Sequence, residues 1–212
     1  MTSLRLLQES PRSYVIINPM KDALAIASLV LSLAVSMLYI IQVVRGKVKP
    51  QRFSWLLWTM LSATYFASAL STGGGVLFTF GELVGPGLIF LVSLKYGVGG
   101  KSRFDLVSLV IALVAFVLLF VASNVLFGLI LALVVDGIGF MLTARKLAKD
   151  RSSEQKMPWL LYSLGGLLAI FGLQTFSVEN LLFPIYIVIS CGVFFFMADP
   201  KAKPKPEAIE NL

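Results

Sequence analysis

Long runs of apolar residues, separated by short polar segments, dominate this chain of 212 residues. A helix needs about 20 such residues to cross the roughly 30 Å of hydrocarbon in a bilayer. Seven runs approach that length: 23–44, 53–71, 76–96, 104–121, 125–144, 157–176 and 181–197. The fourth and fifth runs are separated only by residues 122–124, and read together they would form a helix about 60 Å long. We therefore predict a tight turn at 122–124 and seven membrane spans.

The composition favours the same class of protein. Hydrophobic residues make up 58% of the chain and charged residues only 14%, whereas soluble domains carry roughly 25% charged residues. There is no histidine, and the single cysteine, Cys191, lies inside an apolar run. We therefore expect no disulfide, no metal site and no cofactor. Two isolated acids within the spans, without a nucleophile and a base, also predict that the protein is not an enzyme.

The basic residues are distributed unevenly along the chain. Of the 18 lysines and arginines, only Arg5, Arg12 and Lys21 precede the first span, and the other fifteen lie near the ends of spans 1, 3 and 5 or in the C-terminal tail. The positive-inside rule then places those loops and the C-terminus in the cytosol and the N-terminus outside. The net charge of +7 is thus a topology signal and an attraction to anionic lipid, and it does not indicate nucleic acid. We expect a multi-pass protein of a bacterial or archaeal cell membrane.

The three tryptophans, Trp55, Trp58 and Trp159, begin spans 2 and 6 on the predicted cytosolic side. Amphipathic aromatic rings are enriched where a membrane meets water. We therefore expect these side chains to anchor the two spans at the interface.

Two segments of the chain are nearly alike: QRFSWLLW at 51–58 and QKMPWLLY at 155–162. Each follows a basic stretch and begins an even-numbered span. A second match pairs Pro86 in span 3 with Pro184 in span 7, and the glycine-rich segment at 71–75 accounts for the longer first copy. Spans 1–3 and 5–7 are therefore predicted to be two three-helix units that enter the membrane in the same direction.

This pattern predicts an all-α integral membrane fold of seven transmembrane helices, arranged as two parallel three-helix repeats joined by a linker helix (3+1+3). Its parts are an extracytoplasmic N-terminal segment at 1–22, the first repeat at 23–96, the linker helix at 97–122, the second repeat at 123–197 and a disordered cytosolic tail at 198–212. The tail is expected to lack structure because lysine alternates with proline there.

The layout resembles the SWEET and PQ-loop superfamily of small transporters. The resemblance is carried by the segments RGKVKPQRFSWLLW, LVSLKYG, DGIGFMLTARK and EQKMPWLLY, and the shared layout covers about 175 residues. It implies a 3+1+3 transporter, with sugars as the default substrate of the family.

The chain departs from that family at two kinds of position. The Pro-Gln pair of the family normally lies inside the first helix of each repeat, but the corresponding positions here, near Tyr39 and Thr143, carry no proline. SWEET transporters have a sugar-contacting asparagine in the third helix of each repeat. Here span 3 offers Glu82 and span 7 offers Asn180 nearer its outer end, so the sugar contacts do not transfer residue by residue.

Asp136 lies near the middle of span 5, where an ionised side chain costs at least a few kcal/mol. Gly139 and Thr143 share its helical face, and the repeat pairs it with Ser32, which belongs to a row of serines on span 1. Asp136 is therefore predicted either to contact a proton, cation or substrate, or to be satisfied by a hydrogen bond to a neighbouring hydroxyl or backbone group.

Spans 3 and 7 supply the other candidate groups. Glu82 lies about two turns from the predicted outer surface, where it either lines a pathway or extends to water. Pro86, in a Gly-Pro-Gly interruption, is predicted to be a hinge or a passive kink, and Pro184 is its counterpart in span 7. Tyr186 and Ser190 lie four residues apart on one face of span 7.

These observations lead to two hypotheses. The first is a small-solute transporter that works by alternating access between two three-helix bundles. Its substrate or ion pathway would contain Asp136, Glu82, Ser32, Thr143, Tyr186 and Ser190. The alternative is a non-transporting adaptor or receptor-like protein whose basic cytosolic loops bind a partner.

The two hypotheses predict different centres for the molecule. A transporter predicts that Asp136, Ser32 and Glu82 face a water-sized cavity between the halves, and an adaptor predicts a packed, dry centre. The expected partners are the lipid bilayer and a small polar solute, and a homo-oligomer is left open.

Overall fold

The computed structural model describes residues 19–72, 74–121 and 125–201. These residues form helices α1 (Pro19–Val44), α2 (Arg52–Thr72), α3 (Val76–Tyr96), α4 (Arg103–Val121), α5 (Val125–Lys149), α6 (Lys156–Gly172) and α7 (Val178–Met197), with a 3-10 turn at Arg151–Ser153. Within these ranges there is no β-strand, and the predicted all-α class is confirmed. Most of the predicted N-terminal segment (1–22) and of the predicted disordered tail (198–212) lies outside the described residues.

Each predicted span coincides with one helix, although some bounds differ. α1 begins at Pro19, four residues early, since proline at the first helical position gives up no hydrogen bond. α5 continues to Lys149, and α6 already ends at Gly172. The predicted turn at 122–124 lies outside the described residues, but α4 and α5 are separate helices that pack on each other.

Within the described ranges, three helical segments are long and apolar enough to cross a membrane: α1, α3 and the Asn180–Met197 part of α7. The surface of α4 is also strongly apolar, with Leu106, Val107, Val110, Ile111, Val114 and Val117 all exposed. Monomeric soluble proteins rarely expose a contiguous apolar patch of this kind. These are the features of an integral membrane protein.

In each half of the chain, the third helix packs between the other two. α3 contacts both α1 and α2, and α7 contacts both α5 and α6. The halves meet through two further helix pairs, α1 with α6 and α2 with α5, while α4 packs mainly on α5. The pattern of helix contacts within and between the halves therefore stays the same if α1, α2 and α3 change places with α5, α6 and α7.

Small residues let α1 and α3 approach closely. A Cβ atom built on Gly85 would lie 2.0 Å from Ser36 Oγ and 2.9 Å from Ser36 Cβ, and one on Gly81 would lie 3.2 Å from Ser32 Cβ. Ser28, Ser32 and Ser36, the serine row of span 1, are all buried. Small residues of this kind are typical of helix interfaces in membranes, and this interface brings α1 against the middle of α3.

Three connections lie at one end of the bundle, at 45–51, 97–102 and 150–155, and this end is called the basic end. Its loops are tied together by backbone hydrogen bonds. Lys49 N donates to Ser153 O at 3.0 Å, and Asp199 N donates to Arg151 O at 2.8 Å. The α3–α4 connection contains Gly99 and Gly100 with φ of 86° and 87°, a left-handed conformation that glycine adopts without strain. The opposite end of the bundle, which contains residues 74–75 and 173–177, is called the far end.

Candidate functional site

A cavity of about 40 Å³ lies at the centre of the bundle. Its walls come from α2 and α3 of the first half and from α5, α6 and α7 of the second. By this measure one water needs about 10–15 Å³, so the space holds roughly three waters. Sites for drug-sized ligands measure about 300–1,000 Å³, so the cavity leaves only a water-sized space in this conformation.

Glu82, on α3, lines this cavity and is only 4% exposed. Ser32 Oγ donates a hydrogen bond to Glu82 Oε1 at 2.6 Å. The alternative in which Glu82 extends to water at the outer surface is therefore wrong, because its carboxyl group is buried inside the bundle. Ser32 does not line the cavity, and its contact with Glu82 fixes the direction of that side chain.

Asp136, on α5, lines the same cavity and is 2% exposed. Within the described part of the chain, neither its Oδ2 atom nor the Nε1 atom of Trp58 has a hydrogen-bond partner. Tyr186 donates its hydroxyl hydrogen to the backbone carbonyl of Asp136 at 3.1 Å. The Tyr186 hydroxyl and the Trp58 N–H group also lie close enough to the carboxyl group of Asp136 to act on it as donors.

The tryptophans close the cavity on the side of the basic end. Trp55 and Trp159 are each 2% exposed, and their rings stack with centroids 6.1 Å apart and an interplanar angle of 20°. Trp58 meets Trp55 edge-on at 5.0 Å. The prediction that these rings anchor the spans in the lipid interface is wrong, because sequence position gives the depth of a ring but not whether it faces lipid or protein.

Aromatic side chains also bound the cavity toward the far end. Tyr65 of α2 stacks on Phe183 of α7 with ring centroids 4.3 Å apart, and Phe78 of α3 lies 5.8 Å from the same ring. Phe183 lines both the central cavity and a second cavity of about 30 Å³. The central cavity is therefore enclosed by aromatic contacts between the two halves on both sides.

The structure brings together most of the predicted pathway residues. The cavity is lined by Glu82, Pro86, Asp136, Tyr186 and Ser190. The predicted residues that do not line it are Ser32, Thr143 and Pro184.

Thr143 and Pro184 have other surroundings. Thr143 Oγ1 donates to Ser54 Oγ at 2.9 Å, and Ser54 Oγ donates to Gly139 O at 2.7 Å, so Thr143 joins α5 to α2. It shares a helical face with Asp136 but lies two turns nearer the basic end, beyond the cavity. Pro184 lines the second cavity instead.

A buried ionic network lies against the tryptophan pair. Lys146 of α5 and Glu154 of the α5–α6 loop are both fully buried and form an ion pair. Lys146 Nζ also donates to Lys49 O at 2.7 Å, and Tyr39 of α1 donates its hydroxyl hydrogen to Glu154 at 2.8 Å. Burial raises the pKa of Glu154, and the ammonium group of Lys146 opposes that rise. The network therefore joins the first half of the chain to the second.

Sequence reasoning missed this network because it counted Lys146 among the loop charges. The spacing does carry a signal, because Lys146 follows Thr143 by three residues. It therefore lies near the helical face that carries Asp136, Gly139 and Thr143.

The central cavity combines acidic and apolar side chains. Two residues with carboxyl groups and several with hydroxyl groups line it, within mostly apolar walls. Carboxyl groups so enclosed hold a proton, a cation or a strong hydrogen-bond donor, because water competes poorly for them there. Across the described ranges, no group of three or more His, Cys, Asp or Glu residues is placed to hold a metal ion.

No family model, no curated protein and no solved structure matches the chain.

Proposed function

We propose that the chain is a small-solute membrane transporter that works by alternating access between two three-helix bundles. The observation that carries this proposal is the central cavity, which lies between the halves and receives the carboxyl groups of Glu82 and Asp136. Acids buried at membrane depth cost free energy, and they mark pathways for substrates and ions.

The packing of the helices supports a division into repeats at 23–96 and 123–197 with a linker at 97–122. Trp55 contacts Trp159, and Lys49 N donates to Ser153 O. Each of these contacts joins residues 104 positions apart, which is also the offset between the segments at 51–58 and 155–162. Contacts between equivalent residues are expected where two related units meet across a two-fold axis. The 3+1+3 organisation agrees with the resemblance to the SWEET and PQ-loop superfamily.

The aromatic contacts at the two ends act as the gates of this mechanism. Opening toward the basic end separates Trp55 from Trp159 and breaks the Lys146–Glu154 network. Opening toward the far end separates Tyr65 from Phe183. Each pair joins the first half to the second, so a rigid movement of one half against the other opens one gate while the other stays closed.

In this proposal all seven helices cross the membrane, with the basic end in the cytosol and the N-terminus outside. The support is the positive-inside distribution of lysine and arginine and the apolar outer surface of the bundle.

The adaptor hypothesis expects a packed, dry centre. A cavity lined by two buried carboxyl groups gives such a protein no advantage, because the burial of carboxyl groups costs free energy. The cavity therefore favours transport.

Uptake by proteoliposomes tests the proposal. Radiolabelled sugars, amino acids and small amines would be offered to vesicles that contain the wild-type chain, the Asp136→Asn variant or the Asp22→Asn variant. Asp22 is an exposed acid on α1, so its substitution removes the same charge away from the cavity. We expect at least one solute to enter with the wild-type chain and Asp22→Asn, and at least tenfold more slowly with Asp136→Asn. Uptake no faster than into empty vesicles for every solute would overturn the proposal.

A further inference from the structure

The titratable side chains that set the charge of the central cavity are acidic. Glu82 of α3 and Asp136 of α5 approach it from opposite halves of the chain, and no lysine or arginine among the described residues lines it. The basic side chain nearest to Asp136 on the same helical face, Lys146, lies ten residues further along α5, about 15 Å away at 1.5 Å per residue. Lys146 is already paired with Glu154. A ligand of positive charge would therefore supply the charge that the cavity lacks.

Aromatic rings form much of the remaining wall. They are contributed by Trp55 and Trp58 of α2, Trp159 of α6, and Tyr186 and Phe194 of α7. The face of an aromatic ring attracts cations, and the attraction is strongest when the site is shielded from water. Cages of such rings recognise organic ammonium groups in other proteins.

The carboxyl group of Asp136 can accept further hydrogen bonds. The residue is 98% buried, and its Oδ2 atom makes no hydrogen bond of normal geometry with a described residue, although the Tyr186 hydroxyl and the Trp58 N–H group lie nearby. Glu82 lines the same cavity, and Ser32 donates a hydrogen bond to its Oε1 atom. An N–H donor on a cation would satisfy the Asp136 oxygen and gain Coulomb energy at the same time.

Divalent metal ions and sugars fit these walls less well. Calcium and magnesium prefer several charged or carbonyl oxygen ligands, whereas the wall is mostly apolar and, among the described residues, no group of three or more His, Cys, Asp or Glu could hold a metal ion. A sugar needs many donors and acceptors, whereas the wall is mostly apolar.

We propose that the solute is a small organic monocation, with a primary ammonium or a guanidinium group held between Glu82 and Asp136 and against the surrounding rings. This inference rests on the proposed transport function and names its substrate class. The closed cavity of about 40 Å³ limits the charged group to a size close to that of ammonium or guanidinium.

Guanidinium and urea make a matched pair of probes, because they share a planar shape and differ in charge. The full chain in detergent would be heated with millimolar guanidinium chloride, methylammonium chloride, urea or methanol, at constant ionic strength set by sodium chloride. We expect saturable thermal stabilisation by the two cations and none by the two neutral compounds. Asp136→Asn and Glu82→Gln should each weaken the apparent affinity for guanidinium at least tenfold, and Asp22→Asn should leave it unchanged.

The inference is overturned if urea stabilises the chain as guanidinium does, or if guanidinium acts no differently from sodium. It is also overturned if both acid variants bind guanidinium as the wild type does. The comparison of guanidinium with urea on the wild-type chain needs no variant, so a folding defect in a variant does not prevent the test.

Uptake of radiolabelled guanidinium into proteoliposomes separates this inference from the transport proposal. Guanidinium stays charged at neutral pH and does not cross lipid unaided. If the chain carries a neutral solute while guanidinium neither binds nor inhibits, the cation inference fails and transport stands. If guanidinium binds but no solute of any class crosses, transport fails and the cation site stands.

Discussion

At the scale of single residues, the buried acids differ in how they are satisfied. Glu82 is oriented by Ser32, and Glu154 is paired with Lys146 and receives the hydroxyl hydrogen of Tyr39. Asp136 keeps one carboxylate oxygen without a partner among the described residues. A structural acid is normally satisfied, so the paired Glu154 holds the fold together, whereas Glu82 and Asp136 both line the central cavity.

Lys146→Met tests the buried ion pair. The substitution leaves Glu154 buried without a compensating charge, which typically costs about 3–5 kcal/mol. Unfolding in detergent should show that loss, and the double variant Lys146→Met, Glu154→Gln should lose less than Lys146→Met alone, because no unpaired charge remains. A double variant that loses the sum of the two single effects would show that the pair is not coupled.

The same variant has a predicted pH dependence. Without the ammonium group of Lys146, burial, opposed by the hydrogen bond from Tyr39, holds the pKa of Glu154 above the ~4.3 of an unfolded glutamate. The unfolded state then loses this proton at lower pH than the folded state does. The unfolding free energy of Lys146→Met should therefore fall relative to that of the wild type as the pH rises above ~4.3. A constant difference from pH 4 to pH 8 would contradict this sign.

At the scale of helices, small residues set how closely the elements approach. α3 lies against α1 because Gly81 and Gly85 face the serines of α1. That contact is also what lets Ser32 reach Glu82 across the interface, so helix packing and the geometry of the cavity depend on each other.

Gly85→Ala tests the α1–α3 interface. A Cβ atom at residue 85 would lie 2.9 Å from Ser36 Cβ, so the helices must separate, and overpacking of this kind typically costs about 1–3 kcal/mol. Gly137→Ala on α5 is the matched control, because a Cβ there meets no atom within 4 Å. We expect thermal unfolding in detergent to show a loss of stability for Gly85→Ala, and no loss for Gly137→Ala, since alanine favours a helix over glycine. Equal stability of the two variants would contradict the interface described here.

Sequence reasoning placed the helices better than it placed the faces of those helices. Every predicted span matches a helix because the length of an apolar run is a direct physical requirement of the bilayer. The burial of Trp55 and Trp159 could not be predicted, because lipid and protein interior are equally apolar. Thr143 and Ser32 were predicted in the cavity from helical periodicity, which gives the side of a helix but not the depth at which the cavity ends.

At the scale of the whole molecule, the two halves are related by the same packing pattern and meet through equivalent residues. The gate contacts at both ends of the cavity also join the halves. In the proposed mechanism, motion of one half against the other would reach both gates, as alternating access requires.

The predicted orientation of the bundle can be measured with introduced cysteines. In a background without Cys191, the only cysteine of the chain, Lys101→Cys lies at the basic end and Thr175→Cys lies at the far end, and both positions are exposed. A membrane-impermeant maleimide added to intact cells should label Thr175→Cys and should label Lys101→Cys only after lysis. Labelling of Lys101→Cys in intact cells would contradict the proposed orientation.

Accessibility of the cavity from each side of the membrane tests the central claim most directly. In the background without Cys191, Ser62→Cys lies on the cavity wall, and Ser108→Cys is a matched control at a buried serine that does not line the cavity. A small, charged, membrane-impermeant thiol reagent would be applied from the outside or from the inside of sealed vesicles. Alternating access predicts that Ser62→Cys is modified from either side and Ser108→Cys from neither. A Ser62→Cys chain that is modified from neither side, or from one side only, would contradict the account.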